Sequence, residues 1–253
     1  TGKENRGVLP VVLTESSPES TGSLKDMLLV EVVDEIPAAT RQQVAVSASL
    51  GAQFLLWEFA TAVAGRLLEV NPFDQPDVES AKIAARGMLE QRAAEHPALF
   101  SDGAVEVRSQ ALELSSDLNL EQAIAALLAK LSQTTGYISI HAYLDRHSAG
   151  SASELRDLLA RRTGRPVTFG WGPRFLHSTG QYHKGGPKQG VFLQLTAKAS
   201  RDFAVPGRDF SFGELISSQA AGDANVLAEL GLPVLRLNFT DVAAGLAQLK
   251  SAI

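Results

Sequence analysis

The chain has 253 residues, of which 45% are hydrophobic and 20% are charged, as in an ordinary globular protein with a sizeable core. The net charge of −5 argues against nucleic-acid binding, and the lack of cysteine excludes disulfides and thiolate metal sites. No apolar run reaches the roughly 18 residues of a membrane span, so we expect a cytoplasmic protein without a membrane partner.

Short apolar runs rich in β-branched residues alternate with longer segments of helical periodicity. Strands are predicted at 7–14, 27–33, 137–144, 166–170, 190–196 and 233–238. Helices are predicted at 37–49, 52–70, 77–95, 120–132, 152–162, 212–230 and, capped by Thr240, to 253, with no assignment for 97–118. The alternation favours parallel βαβ units, and therefore one α/β domain over 1–253 with a three-layer αβα sandwich and a mostly parallel sheet.

The predicted helix at 52–70 is apolar on nearly all sides. A helix of this kind is normally buried, so we expect it on the sheet or at a subunit contact. Glu58 is an exception in this apolar segment. It is expected to be paired, or else to face a cleft or have a raised pKa.

Asn71 and Pro72 predict the start of the next helix. Gln75, Glu79 and Lys82 follow at i, i+4 and i+7, so they share one face. An amide, a carboxylate and an ammonium in line are suited to bind a polyhydroxylated ligand. The alternative is a solvated helix face with an ordinary ion pair.

The segment 170–187 combines five glycines with His, Arg, Lys, Ser, Thr and Gln side chains. In doubly wound sheets, ligands lie beyond the carboxyl ends of the strands, where such loops place backbone close to the ligand. The alternatives are a solvated turn at 184–187 and, for His177, a hydrogen-bonded core histidine.

Other kinds of site are poorly supported. His177 and His183 lack a nearby carboxylate at ligand spacing, so we expect neither a metal nor a cofactor. The sequence contains no Gly-x-Ser-x-Gly elbow, which argues against a serine hydrolase. Lys3 and Arg6 are able to meet an anionic group, although basic residues near a terminus are commonly solvated.

Three motifs resemble those of the phosphoglucose isomerase (glucose-6-phosphate isomerase) family. Asn71-Pro-Phe-Asp-Gln-Pro-Asp-Val-Glu-Ser-Ala-Lys82 resembles the family's C-terminal signature. Thr1-Gly-Lys-Glu-Asn-Arg-Gly7 resembles the end of its Glu-Ser-x-Gly-Lys segment, and Leu176-His-Ser-Thr-Gly-Gln181 its His-Ser-x-Gly-Gln segment. Because the histidine motif comes last, the order resembles that of actinobacterial-type isomerases and transaldolase–isomerase fusions.

The resemblance implies a C-terminal sugar-isomerase (SIS) domain that interconverts glucose 6-phosphate and fructose 6-phosphate in glycolysis and gluconeogenesis. By this resemblance, His177 moves a proton during ring opening and Lys82 stabilises charge on the same oxygens. Substrate contacts are expected from Gln75, Gln181 and Lys3. His183 is the alternative to His177. The interpretation requires these side chains to meet at one sugar-sized hollow.

The family's catalytic base is the Glu of Glu-Ser-x-Gly-Lys, which would lie two residues before Thr1. We therefore expect this polypeptide to need the N-terminal half of the same enzyme for activity, with a homodimer also possible. Two alternatives stay open. One is a non-catalytic regulatory SIS domain that binds a sugar phosphate. The other is an oligomerisation module, which the apolar helix at 52–70 suggests.

Overall fold

The computed structural model describes residues 2–21, 26–36, 44–74, 76, 79, 83, 86–87, 89 and 97–253. The strands are β1 Gly2–Lys3, β2 Arg6–Gly7, β3 Val30–Val32, β4 Val44–Val46, β5 Phe100–Asp102, β6 Val105–Gln110, β7 Tyr137–Tyr143, β8 Val167–Trp171, β9 Gly190–Ala197 and β10 Val234–Phe239. The α-helices are α1 Leu50–Leu68, α2 Leu120–Leu128, α3 Leu155–Thr163, α4 Gly180–Gly185, α5 Phe212–Glu229 and α6 Val242–Ala252. Short 3₁₀-helices lie at Pro18–Thr21, Gly150–Glu154 and Arg174–His177.

Six strands form the central sheet in the order β5-β6-β10-β9-β7-β8. The strands β10, β9, β7 and β8 are parallel neighbours. The hairpin β5–β6 joins this group antiparallel, through β6 and β10. Helices cover both faces, so the predicted α/β class with a mostly parallel sheet is confirmed.

The two faces of the sheet differ in chemistry, as β7 illustrates. All seven of its residues are buried, and alternate side chains point to opposite faces. Ile138, Ile140 and Ala142 join the main apolar core beneath α2, α3 and α6. The intervening residues are Tyr137, Ser139, His141 and Tyr143, and they face α4, α5 and the 3₁₀-helix before α4. One face therefore carries most of the apolar packing, and the other carries buried polar groups.

Local signals explain where the helices begin. Asn119 and Gln122 form a reciprocal capping box at the start of α2. Ser211 and Glu214 form another at α5. At α6 the cap is Asp241, whose carboxylate accepts from the amide of Ala244, so the predicted cap at Thr240 was wrong by one residue.

Several predicted elements need correction. The unassigned segment 97–118 contains β5 and β6, because an edge hairpin needs only short runs of alternation. The predicted strand at 7–14 is confined to Arg6–Gly7, since the following residues are exposed or half-buried and lie outside any ladder. The predicted loop after His177 contains α4.

The segments before α1 also differ from the prediction. The strand predicted at 27–33 is β3, which pairs with β4 in a separate, largely exposed two-stranded sheet. The helix predicted at 37–49 is contradicted at Val44–Val46, which is β4. These valine-rich runs favour strands, but nothing in them specifies which sheet they join.

Helix α1 forms where predicted, but it is not buried on the sheet. Phe54 is 64% exposed and Leu67 is 79% exposed, and Gly65 is the one buried residue of the helix. Glu58 is exposed and has no ion-pair partner among the described residues. Burial of α1 on the sheet was therefore wrong, and its contact with a partner stays a prediction. Within the described residues, no helix is sufficiently long and apolar to span a membrane.

Matched leucine truncations will test where the folding energy lies. Leu193 is 1% exposed at the centre of the sheet, so Leu193→Ala should lower the free energy of unfolding by about 2–5 kcal/mol. Leu67→Ala on α1 should change it by less than about 0.5 kcal/mol. Urea denaturation followed by circular dichroism measures both. Equal losses would show that α1 is buried in solution.

Candidate functional site

The N-terminal hairpin β1–β2 brings the first motif against the second. The Lys3 side chain is buried, and its ammonium forms an ion pair with Asp74 and donates to the carbonyl oxygen of Asn71. Arg6 donates to the carbonyl oxygen of Leu68 at 3.0 Å, at the end of α1. The hairpin therefore binds the start of the Asn71–Lys82 motif, 68 residues along the chain.

The same hairpin lies against α4, which contains the end of the third motif. The Gln181 side-chain amide donates to the carbonyl oxygen of Gly2 at 2.7 Å. The amide of Asn5 donates to the carbonyl oxygen of Gly185 at 3.0 Å. A Cβ at Gly2 would lie 2.7 Å from the Tyr182 Cα, so this close approach requires glycine. All three motifs thus contribute residues to one region.

The predicted site residues are placed very differently. His177 is exposed at the end of the 3₁₀-helix Arg174–His177. Gln181 and Lys3 are buried and hydrogen-bonded as described above. Gln75 and Lys82 lie outside the described residues, so their convergence with His177 stays a prediction.

The alternative histidine, His183, is a core residue. Its Nδ1 lies 3.0 Å from the hydroxyl of Tyr137, and its Nε2 lies 3.2 Å from Ser139 Oγ. Burial lowers the pKa of His183 well below its usual value, and the nearby His141 and Lys184 add to this effect. Both ring nitrogens of His183 are engaged within the protein, whereas His177 is exposed at the surface. The core-histidine interpretation considered for His177 applies to His183 instead.

A buried charge network behind the loop was not predicted. Asp223 on α5 accepts from the Lys184 ammonium at 2.5 Å and from His141 Nδ1 at 3.0 Å. The side chains of Lys184 and Asp223 are both 0% exposed. The solvated turn proposed for 184–187 is therefore wrong for Lys184, because its ammonium has a carboxylate partner in the core.

The electrostatics of this network favour a charged carboxylate and a neutral imidazole. Burial alone would raise the pKa of Asp223, but the Lys184 charge and the His141 hydrogen bond hold it far below the usual range. Burial lowers the pKa of His141, although Asp223 acts in the opposite direction. The ammonium and the carboxylate therefore cancel, and His141 is a neutral donor through Nδ1.

The network continues across the sheet. In the strand register, His141 is opposite Gln194 and Gln194 is opposite Arg236. Arg236 Nε donates to Gln194 Oε1 at 2.8 Å, and the Gln194 amide donates to the carbonyl oxygen of Ala220 on α5 at 2.9 Å. A row of polar side chains thus binds α5 to three adjacent parallel strands.

Sequence reasoning missed Asp223 because it lies in a run of small residues, Ala220-Ala-Gly-Asp-Ala224, within an ordinary helix pattern. A lone carboxylate among small apolar residues was the available signal. An open depression of about 400 Å³ lies elsewhere, lined by residues of α6 with Ser148 and Ser151. None of its lining residues belongs to the three motifs.

The buried histidines should make the stability depend on pH. As the pH falls from 7 to 5, unfolded imidazoles near 6.5 take up protons while the buried rings resist, so unfolding becomes easier. We expect a loss of about 1–2 kcal/mol per histidine, measured by urea denaturation at each pH. Below about pH 4, Asp223 should add a further loss of the same sign, because its folded-state pKa is depressed.

Two glutamine variants provide the comparison. His183→Gln should reduce the slope of stability against pH between 7 and 5. His147→Gln, on an exposed loop, should leave the slope unchanged. Equal slopes in both variants and the parent protein would contradict the assignment of a neutral, buried His183.

No protein-family model and no curated protein matches the chain. Among solved structures, it is similar to the crystal structure of the hypothetical protein TT0462 from Thermus thermophilus. The TM-score is 0.43 and the sequence identity 19%, over 69% of this chain and 42% of that one. The chain thus spans less than half the length of that protein, and a likeness of this size assigns neither a family nor a function.

Proposed function

We propose that the chain is the C-terminal SIS domain of a glucose-6-phosphate isomerase, an aldose–ketose isomerase. The observation that supports this best is the contact between the three motif segments. Lys3 pairs with Asp74 and Gln181 donates to Gly2, so residues from the beginning, the middle and the later part of the chain meet around one hairpin. Nothing in the spacing of these motifs along the chain requires that contact.

The exposed imidazole of His177 supports the ring-opening role. A cyclic sugar phosphate must transfer a proton between its ring oxygen and a hydroxyl group before isomerisation begins. Imidazole is suited to this step because it both accepts and donates protons near neutral pH. His177 is exposed at the surface, whereas the ring nitrogens of His183 are engaged by Tyr137 and Ser139.

The remaining roles follow the resemblance. Lys82 would stabilise negative charge on the oxygens of the opening sugar, and Gln75 would hydrogen-bond the substrate. Gln181 and Lys3 would shape the site from the hairpin side. A carboxylate from the N-terminal half would then move a proton between C1 and C2 through an enediol.

The exposed surface of α1 supports a partner for this domain. Phe54, Trp57 and Phe59 are among its exposed side chains, and large contiguous apolar surfaces mark interaction sites. The N-terminal half of the enzyme or a second copy would cover this helix. The surface is also compatible with the alternative of a regulatory SIS domain that binds a sugar phosphate without turnover.

Activity measurements on the native polypeptide that contains this chain will test the proposal. His177→Ala should lower kcat/KM for cyclic glucose 6-phosphate by about 10²–10⁴-fold, because a general acid–base group is lost. The loss should be under about tenfold for an analogue that lacks the ring-closing hydroxyl, since that substrate needs no opening. His147→Ala is the matched control and should leave both activities unchanged.

Equal losses on the two substrates would remove the ring-opening role of His177. Thermal stabilisation of the parent protein by fructose 6-phosphate without any turnover would favour the regulatory alternative. Absence of both turnover and stabilisation would overturn the sugar-phosphate assignment itself.

A further inference from the structure

The carboxylate of Asp223 links α5 to two further elements, α4 and β7. It lies on α5, and its two oxygens accept from Lys184 on α4 and from His141 on β7. The two contacts span 39 and 82 residues along the chain. One buried group on α5 therefore contacts both a sheet strand and the helix that follows the loop of His177, in addition to the hydrogen bonds of His183 that join this helix to β7 directly.

The contact of Asp223 with His141 leads to the segment that contains His177. The His141 ring packs against Phe175, with ring centroids 4.0 Å apart and planes tilted by 32°. Phe175 also packs closely on Gly170, since a Cβ at Gly170 would lie 2.6 Å from the Phe175 Cβ. The His141 ring is therefore in direct contact with Phe175, which precedes His177 by two residues.

The contact of Asp223 with Lys184 leads to the N-terminal hairpin. Lys184 lies three residues after Gln181 on α4. The Lys184 ammonium binds this helix to Asp223 in the core, and the Gln181 side-chain amide donates to the carbonyl oxygen of Gly2. The next residue, Gly185, accepts from Asn5. The position of the hairpin, and hence of Lys3, depends on where α4 is held.

We propose that Asp223 is a positioning residue of this site, which fixes the His177 segment through His141 and the Gln181 helix through Lys184. The inference rests on the proposed function, because it concerns how the same site is held in place. Asp223 itself is fully buried and does not touch substrate.

Stability alone does not explain a buried pair of this kind. Removing charges from water is expensive, and apolar residues of similar volume commonly stabilise a core as well or better. A carboxylate with two charge-assisted hydrogen bonds restricts distance and direction, which apolar packing does less strictly. Such a restriction of distance and direction matters most near a reacting group, because small misplacements of catalytic groups slow reactions strongly.

The first test replaces the carboxylate by an amide. In Asp223→Asn one of the two acceptors becomes an NH₂ donor and the negative charge is lost. Either Lys184 keeps the oxygen and His141 has to adopt its other tautomer, or Lys184 loses its partner. We expect kcat/KM for cyclic glucose 6-phosphate to fall by about 10²-fold, while that for the analogue lacking the ring-closing hydroxyl stays within about tenfold. The ratio of the two values is the readout.

Glu19→Gln is the matched control. Glu19 is also a buried carboxylate with two donors, Arg156 at 2.7 Å and the amide of Val167 at 3.2 Å, but it lies outside the candidate site. The variant Glu19→Gln should lower the free energy of unfolding without changing the ratio of kcat/KM for the two substrates. If Asp223→Asn also leaves the ratio unchanged, Asp223 is purely structural and the proposal is overturned.

A second variant, Lys184→Met, tests the proposal if Asp223→Asn does not fold. In Lys184→Met the buried carboxylate loses its ammonium, and protonation of His141 can restore neutrality. Removing Lys184 takes away a charge that lowers the pKa of His141, and the groups beside this ring are then Asp223 from α5 and His183 from α4. Tyr143 from β7 and Arg236 from β10 belong to the same buried network through Asp223.

This variant should show a new pH dependence. Its folded-state His141 pKa is raised, so the proton holds the site together at low pH and is lost as the pH rises. We expect the ratio of cyclic to open-chain kcat/KM to fall more steeply between about pH 5.5 and pH 8 in Lys184→Met than in the parent protein, where only the ring-opening step makes the ratio depend on pH. Parallel pH profiles in the variant and the parent protein would contradict the proposal.

Amide hydrogen exchange separates failure of the positioning role from failure of the function. Asp223→Asn should speed exchange by about tenfold or more in 2–6 and 174–185, whereas Glu19→Gln should not affect those segments. An inactive parent protein would refute the isomerase but leave this measurement valid. Unchanged exchange in an active protein would refute only the positioning role.

Discussion

The ion pair between Lys184 and Asp223 is the constraint on which the arrangement of the candidate site depends. Each charge, alone in the core, would cost several kcal/mol of solvation. Each is tolerated because the partner lies 2.5 Å away and His141 donates to the second carboxylate oxygen. Helix α4 can therefore lie directly on the sheet, although it contains a lysine and a histidine.

The buried Lys184–Asp223 pair is accommodated because the two faces of the sheet differ in chemistry. Apolar side chains such as Ile140, Leu193 and Leu237 fill the face under α2, α3 and α6, and that core supplies most of the hydrophobic stabilisation. The opposite face is consequently free to carry His141 and Gln194 in one row. Most polar groups there have a partner on α4, α5 or a neighbouring strand, whereas the Tyr143 hydroxyl and His141 Nε2 have no hydrogen-bond partner among the described residues.

The buried network and the exposed motifs form two connected layers. The inner layer holds α4, and α4 in turn binds the N-terminal hairpin through Gln181 and Gly185. The hairpin then reaches Asn71 and Asp74 through Lys3. Helix α1 ends beside this junction, where a Cβ at Gly65 would lie 2.9 Å from Pro72, but the rest of α1 extends with its apolar side chains exposed.

The sequence by itself determined the strands β7 to β10, the helices α3, α5 and α6 that follow β7, β9 and β10, and the three motifs, because hydrophobic periodicity and capping residues are local signals. It did not determine which sheet the valine runs at 30–32 and 44–46 would join, since β-branched runs fit any sheet. Only the tertiary structure decided that Lys184 is buried and that His183, rather than His177, is the core histidine. Those outcomes depend on pairing with Asp223 and with β7, and partners this distant along the chain leave no mark in local spacing.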